Sequence, residues 1–129
     1  MSQISIFGQH HVLAPMRAQW SEIVHAAAVD VLGLPPDKRF HRFFPMDPED
    51  FPTPPGRSER YTIVELRLFT GRTVATKKVF YARIYANAAE HLGISSVDLE
   101  IAMVETPRHD WAIRGLPGDE LALTYEVQR

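Results

Sequence analysis

The chain has 129 residues, 45% of them hydrophobic and 23% charged, so it is long enough for one globular domain and too short for two ordinary ones. Its formal net charge of −2 excludes a bulk electrostatic attraction to nucleic acid or to an anionic membrane. There is no cysteine, which excludes disulfides, thiolate metal sites and cysteine nucleophiles.

Membrane and targeting segments are not expected either. No apolar run approaches the roughly 18 residues that a membrane span needs. Residues 1–7 alternate between polar and apolar and lack the basic start and long apolar stretch of a signal peptide. Together with the absence of cysteine, these features predict a cytoplasmic protein with no nucleic-acid or membrane partner.

The first half of the chain predicts a strand, a helix and a second strand. Residues 4–6 alternate, which is typical of a short strand. From Pro15 onwards, apolar residues recur at intervals of three and four and so mark one buried helix face: Met16, Trp20, Ile23, Val24, Ala27, Ala28, Val31 and Leu32. Gly33 is predicted to end this helix, and the two prolines at positions 35 and 36 prevent the helix from continuing. The short stretch over residues 40–46, which is rich in apolar residues, predicts the second strand.

The middle of the chain is a proline-rich connection followed by a strand. Residues 47–60 contain four prolines, which fit neither a sheet interior nor a helix, so we predict a mostly extended loop. Residues 61–69 then alternate as a strand with two distinct faces. One face carries Ile63, Glu65, Arg67 and Phe69, and the other carries Val64, Leu66 and Leu68.

The second half continues with a helix and a strand. Thr73 is the predicted N-cap of a helix from about Val74 to Leu92, and Gly93 closes it. The apolar residues of this helix define its buried face: Phe80, Tyr81, Ile84, Tyr85, Ala88 and Leu92. Residues 99–103 alternate as a further strand.

The two halves of the chain share a pattern at an offset of sixty residues. Gly33 falls on Gly93, and the apolar residues that follow, Leu34 and Ile94, also coincide. Any two β–α–β units share periodicity, but this coincidence at the helix ends favours a duplication. We therefore predict a single domain of two repeats, over residues 3–46 and 61–105, with a connection over 47–60 and a tail over 106–129.

Two such units predict an α/β (α+β) fold with duplicated β–α–β units. The main sheet would be mixed and four-stranded, with both helices on one face. The other face would carry apolar side chains such as Ile4, Ile63 and Phe69 without a cover. A large exposed apolar patch is rare on monomers, so we expect this face to drive self-association.

Four segments, in their order and spacing, resemble the tautomerase superfamily of MIF-like fold, in particular the branch near malonate semialdehyde decarboxylase. They are the N-terminal strand, residues 33–40, residues 69–73 and the pair Asp110-Trp111. The resemblance covers roughly residues 3–115. It implies a homotrimer without a cofactor, with each active site around the amino terminus of a chain and a small carboxylate or 2-oxo acid as ligand.

The family's usual catalyst is an N-terminal proline, and this sequence carries Ser2 at that position. The resemblance therefore assigns the catalytic position to Ser2, whose amine becomes free only if Met1 is removed. Such an amine titrates at about 7.7–8.0, within reach of neutral pH, but a serine holds it less firmly than proline does. A retained Met1 would place the amine one residue further out and could fill the pocket.

The resemblance also implies substrate-binding positions. Of the two arginines that bind substrate carboxylate in the family, the first aligns with Thr70 and the second with Arg72, whose planar fork suits a carboxylate. The acid that orients water in the decarboxylase branch aligns with Lys38, which could add positive charge to the pocket. Trp111 matches a residue of the pocket wall. The missing proline, acid and arginine argue against decarboxylase activity.

Each of these residues has a structural alternative. Arg72 could bind a loop carbonyl at the turn before the second helix. Lys38 and its neighbour Arg39 could be a solvated pair on a loop. Trp111 could be a plain core residue or a trimer contact.

Other chemistry finds little support in the sequence. The histidines do not follow a metal-binding spacing, and His10 and His11, in the loop after the first strand, are adjacent and would diverge, so we predict no metal site. No nucleophile-elbow sequence is present for Ser-His-Asp hydrolysis.

Two function classes remain. One is a tautomerase-like isomerase or lyase with weak or altered activity on small 2-oxo acids, enols or unsaturated carboxylates. The other is a catalytically silent homotrimeric binding or structural protein of the same fold.

Overall fold

The computed structural model describes residues 2–128, and its first half forms a β–α–β unit. Strand β1 (Ser2–Gln9) runs directly into a short helix, α1 (His10–Leu13), and the long helix α2 (Arg17–Leu32) follows after one 3-10 turn. The predicted loop at His10 and His11 is therefore wrong, since both residues lie in α1. Strand β2 (His41–Met46) completes the unit.

The second half repeats this order. Strand β3 (Thr62–Phe69) leads to helix α3 (Val74–Leu92), and strand β4 (Leu99–Thr106) follows. The hydroxyl of Thr73 accepts a hydrogen bond of 3.2 Å from the backbone N–H of Thr76, so the predicted cap starts α3 where expected.

The elements of the two halves recur sixty residues apart. Strand β1 begins and ends at residues 2 and 9, and β3 at residues 62 and 69. Both long helices end at a glycine in the left-handed conformation, Gly33 with φ 70° and Gly93 with φ 64°. Because only glycine adopts this conformation without strain, these two positions fix where the helices stop.

The strands form one mixed sheet in the order β2-β1-β3-β4. The central pair, β1 and β3, is antiparallel, whereas each pairs in parallel with its outer neighbour. Both long helices pack on the same face of this sheet. The predicted α+β fold with a mixed four-stranded sheet is thus confirmed.

The core lies between the sheet and the two helices. Ile4 and Ile6 of β1 stand opposite Leu66 and Val64 of β3, and all four side chains are buried against the helices. The expectation that Ile4 lies on the uncovered face is wrong, because cross-strand partners share a face and Ile4 is the partner of Leu66. The core is completed by helix residues: Trp20, Ile23, Val24, Ala27, Ala28, Leu32, Phe80, Ile84, Ala88 and Leu92.

The other face of the sheet is open and carries apolar side chains between charged ones such as Glu65 and Arg67. The rings of Phe7 and Phe44 stack there, with centroids 4.6 Å apart and an angle of 11° between their planes. Phe44 is 40% exposed and Val104, on the outer strand β4, is 38% exposed. Ile63 is half-buried on this same face. We call this surface, carrying Phe7, Phe44, Ile63 and Val104, the open face.

A C-terminal hairpin that the sequence did not predict covers one end of the open face. It consists of β5 (Ala112–Ile113) and β6 (Leu116–Pro117). The Trp111 ring packs edge-on against the Phe69 ring, with centroids 5.2 Å apart, and Phe69 is fully buried as a result. Phe69 therefore lies on the predicted face but is not exposed. Within residues 2–128, no helix has the length and apolar character of a membrane span.

Candidate functional site

A small cavity lies at the start of β1, where three segments of the chain meet. It has a volume of about 210 Å³. Its walls come from the first residues of β1, from the residue before β2, and from the segment at the start of the C-terminal hairpin: Ser2, Gln3, Phe40, Trp111, Ala112 and Ile113.

The sheet and the hairpin together bring these segments to one place. Strands β1 and β2 are parallel, so their first residues lie at the same edge, and the N–H of Ile4 donates to the carbonyl oxygen of Phe40 at 3.0 Å. The Trp111 ring packs against the Phe69 ring. The carbonyl oxygen of Trp111 accepts a hydrogen bond of 2.6 Å from the N–H of Gly118. The hairpin thus closes a cavity that the sheet alone would leave open.

Ser2 and Trp111, two residues that the resemblance assigned to the site, both line this cavity. Ser2 is half-buried and stands opposite Leu68 in the antiparallel pairing of β1 with β3. Trp111 is half-buried as well, and it contacts both the cavity and Phe69. The expectations about Met1 concern a residue outside the range 2–128 that the structure describes.

Arg72, the predicted carboxylate-binding arginine, lies in the turn between β3 and α3. Its guanidinium is buried, with the residue only 5% exposed, and it donates hydrogen bonds to the carbonyl oxygens of Phe69 at 3.1 Å and Leu32 at 3.2 Å. It also lies 5.9 Å from the centroid of the Tyr125 ring. Arg72 is not among the residues that line the cavity. The two bonds to backbone carbonyls correspond to the structural alternative, and the carboxylate-binding role of Arg72 stays a prediction.

Lys38 does not line the cavity either. It is exposed on a turn in which its N–H donates to the carbonyl oxygen of Pro35 at 3.1 Å. The neighbouring Arg39 forms an ion pair of 2.7 Å with Glu22 on α2 and does not line the cavity either. Both residues correspond to the solvated alternative that the sequence left open.

Four wall residues were missed by sequence reasoning. Gln3 precedes the predicted strand over residues 4–6, and its closeness to the amino terminus was the signal that could have indicated it. Phe40 begins the predicted strand over residues 40–46 and ends the segment 33–40 that carries the resemblance. Ala112 and Ile113 belong to the two-residue strand β5, which is too short to show a pattern.

A separate polar cluster joins α2 to β2 on the helix side of the sheet. The Ser21 hydroxyl lies 2.7 Å from Nδ1 of His41, and Arg39 donates to the same hydroxyl at 3.2 Å. Burial of the ring lowers the pKa of His41 to about 4, and the charges of Arg39 and His25 act in the same direction. His41 is therefore neutral at pH 7. Among the described residues, no three histidines or carboxylates converge as a metal site would require.

A larger depression of about 510 Å³ lies between α2 and α3, on the far side of the helices from the sheet. Ile23 lines it together with small and polar side chains: Ala18, Gln19, Glu22, Ala26, Asn87 and His91. It contains none of the residues that the resemblance assigned to the site. Size alone therefore does not identify the functional site, and the smaller cavity at Ser2 is the stronger candidate.

The duplicated β–α–β order, with both long helices on one face of a mixed four-stranded sheet, is the fold that the resemblance implies. In agreement, the model of a family described as tautomerase enzyme matches residues 38–114, which is more than half of the chain. The chain belongs to this tautomerase enzyme family, as the resemblance predicted.

Solved structures agree with this assignment. The FG41 malonate semialdehyde decarboxylase, solved with the inhibitor 3-bromopropiolate, is 30% identical, with 94% of this chain and 98% of that chain covered and a TM-score of 0.74. A malonate semialdehyde decarboxylase described with decarboxylase and hydratase activities is 21% identical over 86% of this chain and 89% of its own, with a TM-score of 0.75. A fused 4-OT protein solved as an asymmetric trimer is 16% identical over 91% and 96%, with a TM-score of 0.79.

Proposed function

We propose that the protein is a tautomerase-type enzyme that acts, with weak or altered activity, on small 2-oxo acids, their enols or unsaturated carboxylates. The amine of Ser2 would transfer the proton once Met1 is removed. The observation that carries this proposal is the position of Ser2 in the wall of the 210 Å³ cavity, next to Trp111.

The chemistry of the cavity supports this reaction class. An N-terminal amine has an ordinary pKa of about 7.7–8.0, so it can give and accept protons close to neutral pH. Phe40 and Trp111 provide apolar walls that exclude water from one side of a bound molecule. The cavity is too small for a large ligand. The relative that is 30% identical is inhibited by 3-bromopropiolate, itself a small unsaturated carboxylate.

We propose further that the chain forms a homotrimer and functions in the cytoplasm. The open face offers apolar residues, among them Phe44 and Val104, that association would bury. A fused 4-OT protein of the same fold is a trimer. The absence of cysteine favours the reducing cytoplasm.

A catalytically silent binding or structural protein is the second candidate. It is favoured by the placement of Arg72 on the backbone carbonyls of Phe69 and Leu32, and of Lys38 on an exposed turn. Two positions that the family uses around its substrate are then not assembled at the cavity. In this case the cavity would bind a small anion without turning it over.

The ketonisation of phenylenolpyruvate separates the two candidates. We would compare protein that begins at Ser2 with protein that retains Met1, after mass spectrometry has established the first residue of each. The proposal expects the Ser2 form to exceed the buffer rate and the Met1 form to fall close to it, because the amine is then displaced from the cavity. Equal rates for the two forms, or no rate above buffer for the Ser2 form, would favour the silent protein.

A further inference from the structure

The wall of the cavity at Ser2 contains a side-chain amide, that of Gln3. Gln3 follows Ser2 on β1, and successive side chains of a strand point to opposite faces of the sheet. Since Ile4 belongs to the core under the helices, Gln3 lies on the side of the open face. Ser2 and Gln3 therefore approach the cavity from opposite sides of the sheet end, and the Gln3 amide is on the side that the hairpin covers.

The strands on both sides of β1 hold Gln3 in place. In the antiparallel pairing of β1 with β3, its partner is Arg67. On the other side, Ile4 stands opposite His41 in the parallel pairing of β1 with β2, so Phe40 lies next to Gln3 in the same register. The N–H of Ile4 also donates to the carbonyl oxygen of Phe40 at 3.0 Å. The Gln3 side chain thus leaves a fixed backbone position and is half-buried beside an aromatic neighbour.

Gln3 has a hydrogen-bonding capacity that the other wall residues lack. Within residues 2–128, polar side-chain atoms enter the cavity wall from Ser2, Gln3 and Trp111, and the remaining wall residues are apolar. The indole N–H of Trp111 only donates, and the Ser2 hydroxyl is on a short side chain. The Gln3 amide offers two N–H donors and an acceptor oxygen on a longer side chain. It can therefore donate to a carbonyl oxygen and accept from an enol hydroxyl, the two forms that a tautomerisation interconverts.

We infer that Gln3 binds the oxygen atom on C2 of the ligand, as the hydrogen-bond partner of both the enol and the 2-oxo form. The inference rests on the proposed function for the class of ligand. In ketonisation, the enol hydroxyl loses its proton to water, C3 gains a proton from the ammonium form of the Ser2 amine, and the amine regains a proton from water. The electrons of the C2–C3 double bond form the new C–H bond, and those of the oxygen form the carbonyl.

The hydrogen bond from Gln3 would strengthen during this reaction. Negative charge develops on the oxygen as its proton leaves, and an N–H donor already in place stabilises an oxyanion more than it stabilises the neutral hydroxyl. The apolar walls beside the amide, among them Phe40 and Ile113, make such a bond stronger than it is in water. Gln3 should therefore affect kcat more than KM.

The binding test compares phenylpyruvate with 3-phenylpropanoate, which keeps the ring and the carboxylate but has no oxygen on C2. Binding is measured by isothermal titration calorimetry on protein that begins at Ser2. Gln3→Met replaces the amide by an apolar side chain of nearly the same length. We expect this variant to weaken phenylpyruvate about 3- to 10-fold, the effect of one lost neutral hydrogen bond, and to bind 3-phenylpropanoate as wild type does. Gln3→Asn, which keeps a shorter amide, should give a smaller loss.

Gln19→Met is the matched control. It removes the same amide from an exposed position on α2, in the wall of the 510 Å³ depression, and should bind phenylpyruvate as wild type does. A loss in Gln19→Met with none in Gln3→Met would place the ligand in that depression and overturn the inference. So would an equal loss of both ligands in Gln3→Met, since that result indicates a disturbed cavity rather than a missing partner for the oxygen on C2. A wild type without preference for phenylpyruvate over 3-phenylpropanoate would also contradict it.

Kinetics separate this inference from the proposed function. We expect Gln3→Met to lower kcat for phenylenolpyruvate ketonisation about 10- to 100-fold while KM stays within about threefold of wild type. Selective loss of phenylpyruvate binding in Gln3→Met, in a protein without turnover, would support the inference and reject the enzyme. Turnover by wild type with an unchanged kcat in Gln3→Met would retain the enzyme and overturn the inference.

Discussion

The Arg72 guanidinium donates a hydrogen bond of 3.2 Å to the carbonyl oxygen of Leu32, the last residue of α2 and forty residues earlier in the chain. A second bond of 3.1 Å reaches the carbonyl oxygen of Phe69 at the end of β3. The last carbonyls of a helix have no partner within the helix, and a cation there is favourable. Arg72 therefore ties the end of α2 to the end of β3.

We expect Arg72→Ala to destabilise the fold by about 2–4 kcal/mol, because two buried carbonyl oxygens lose charged donors. Urea unfolding measures the change. The matched control Arg17→Ala alters an exposed arginine and should stay within about 0.5 kcal/mol of wild type. Unchanged stability in Arg72→Ala together with weaker binding of phenylpyruvate would return Arg72 to the carboxylate-binding role.

The sequence predicted those parts of the fold in which local signals and tertiary contacts agree. Helix α3 has the predicted bounds, Val74–Leu92, because Thr73 caps its start and Gly93 adopts the left-handed conformation at its end. The strand pattern of β3 was equally clear, since its alternating residues face the helices on one side and the open face on the other.

The parts that were missed depend on contacts between distant residues. The hairpin of β5 and β6 has two-residue strands and is held by the packing of Trp111 on Phe69, which no local pattern reveals. The role of Arg72 depends on Leu32, which only the folded chain brings near. For the site, the resemblance assigned Ser2 and Trp111, which both line the cavity, whereas the other wall residues required the structure.

His41 should make the stability of the protein depend on pH. Its pKa is lowered to about 4 in the folded state by burial and by the charges of Arg39 and His25, against about 6.5 in the unfolded chain. Glu22, whose charge opposes this shift, and the Ser21 hydroxyl complete the groups around the ring. Between these two pKa values only the unfolded state binds the proton. The contribution of His41 to the free energy of unfolding is therefore fully present above about pH 6.5 and is lost as the pH falls towards 4.

The ring is partly exposed, and screening by solvent reduces the effect to about 1–2 kcal/mol. We would measure the free energy of unfolding between pH 7 and pH 4.5 for wild type and for His41→Asn, which cannot titrate in this range. The wild type should lose about 1–2 kcal/mol more than the variant over this interval. Parallel pH profiles for the two proteins would show that His41 does not cause the pH dependence of the free energy of unfolding.

Phe44 tests whether the open face is an interface between copies of the chain. It stacks on Phe7 and is 40% exposed, so a charge at this position would be buried if the face associates. We expect light scattering to give a trimer for wild type and a lower mass for Phe44→Asp. Val79→Asp, which alters a 54% exposed residue on α3, should remain trimeric. A monomeric wild type at micromolar concentration would contradict the trimer.

The most direct test of the central claim, that the cavity at Ser2 is a tautomerase-type site, replaces Ser2 by proline in a chain from which Met1 has been removed. The proline ring fixes φ near −65° and so holds the amine in one direction, whereas Ser2 depends on its neighbours for orientation. General-base catalysis contributes about 10²–10⁴-fold in enzymes, and we expect a gain at the low end because Thr70 and Lys38 depart from the family pattern. Ser2→Gly, which leaves the amine free but least oriented, is the matched control.

The measurement is the rate of phenylenolpyruvate ketonisation, with the first residue of each protein established by mass spectrometry. The account predicts that Ser2→Pro is about 100-fold faster than wild type, and that Ser2→Gly is no faster than wild type. A Ser2→Pro protein that begins with proline, remains folded and is no faster than wild type would contradict it.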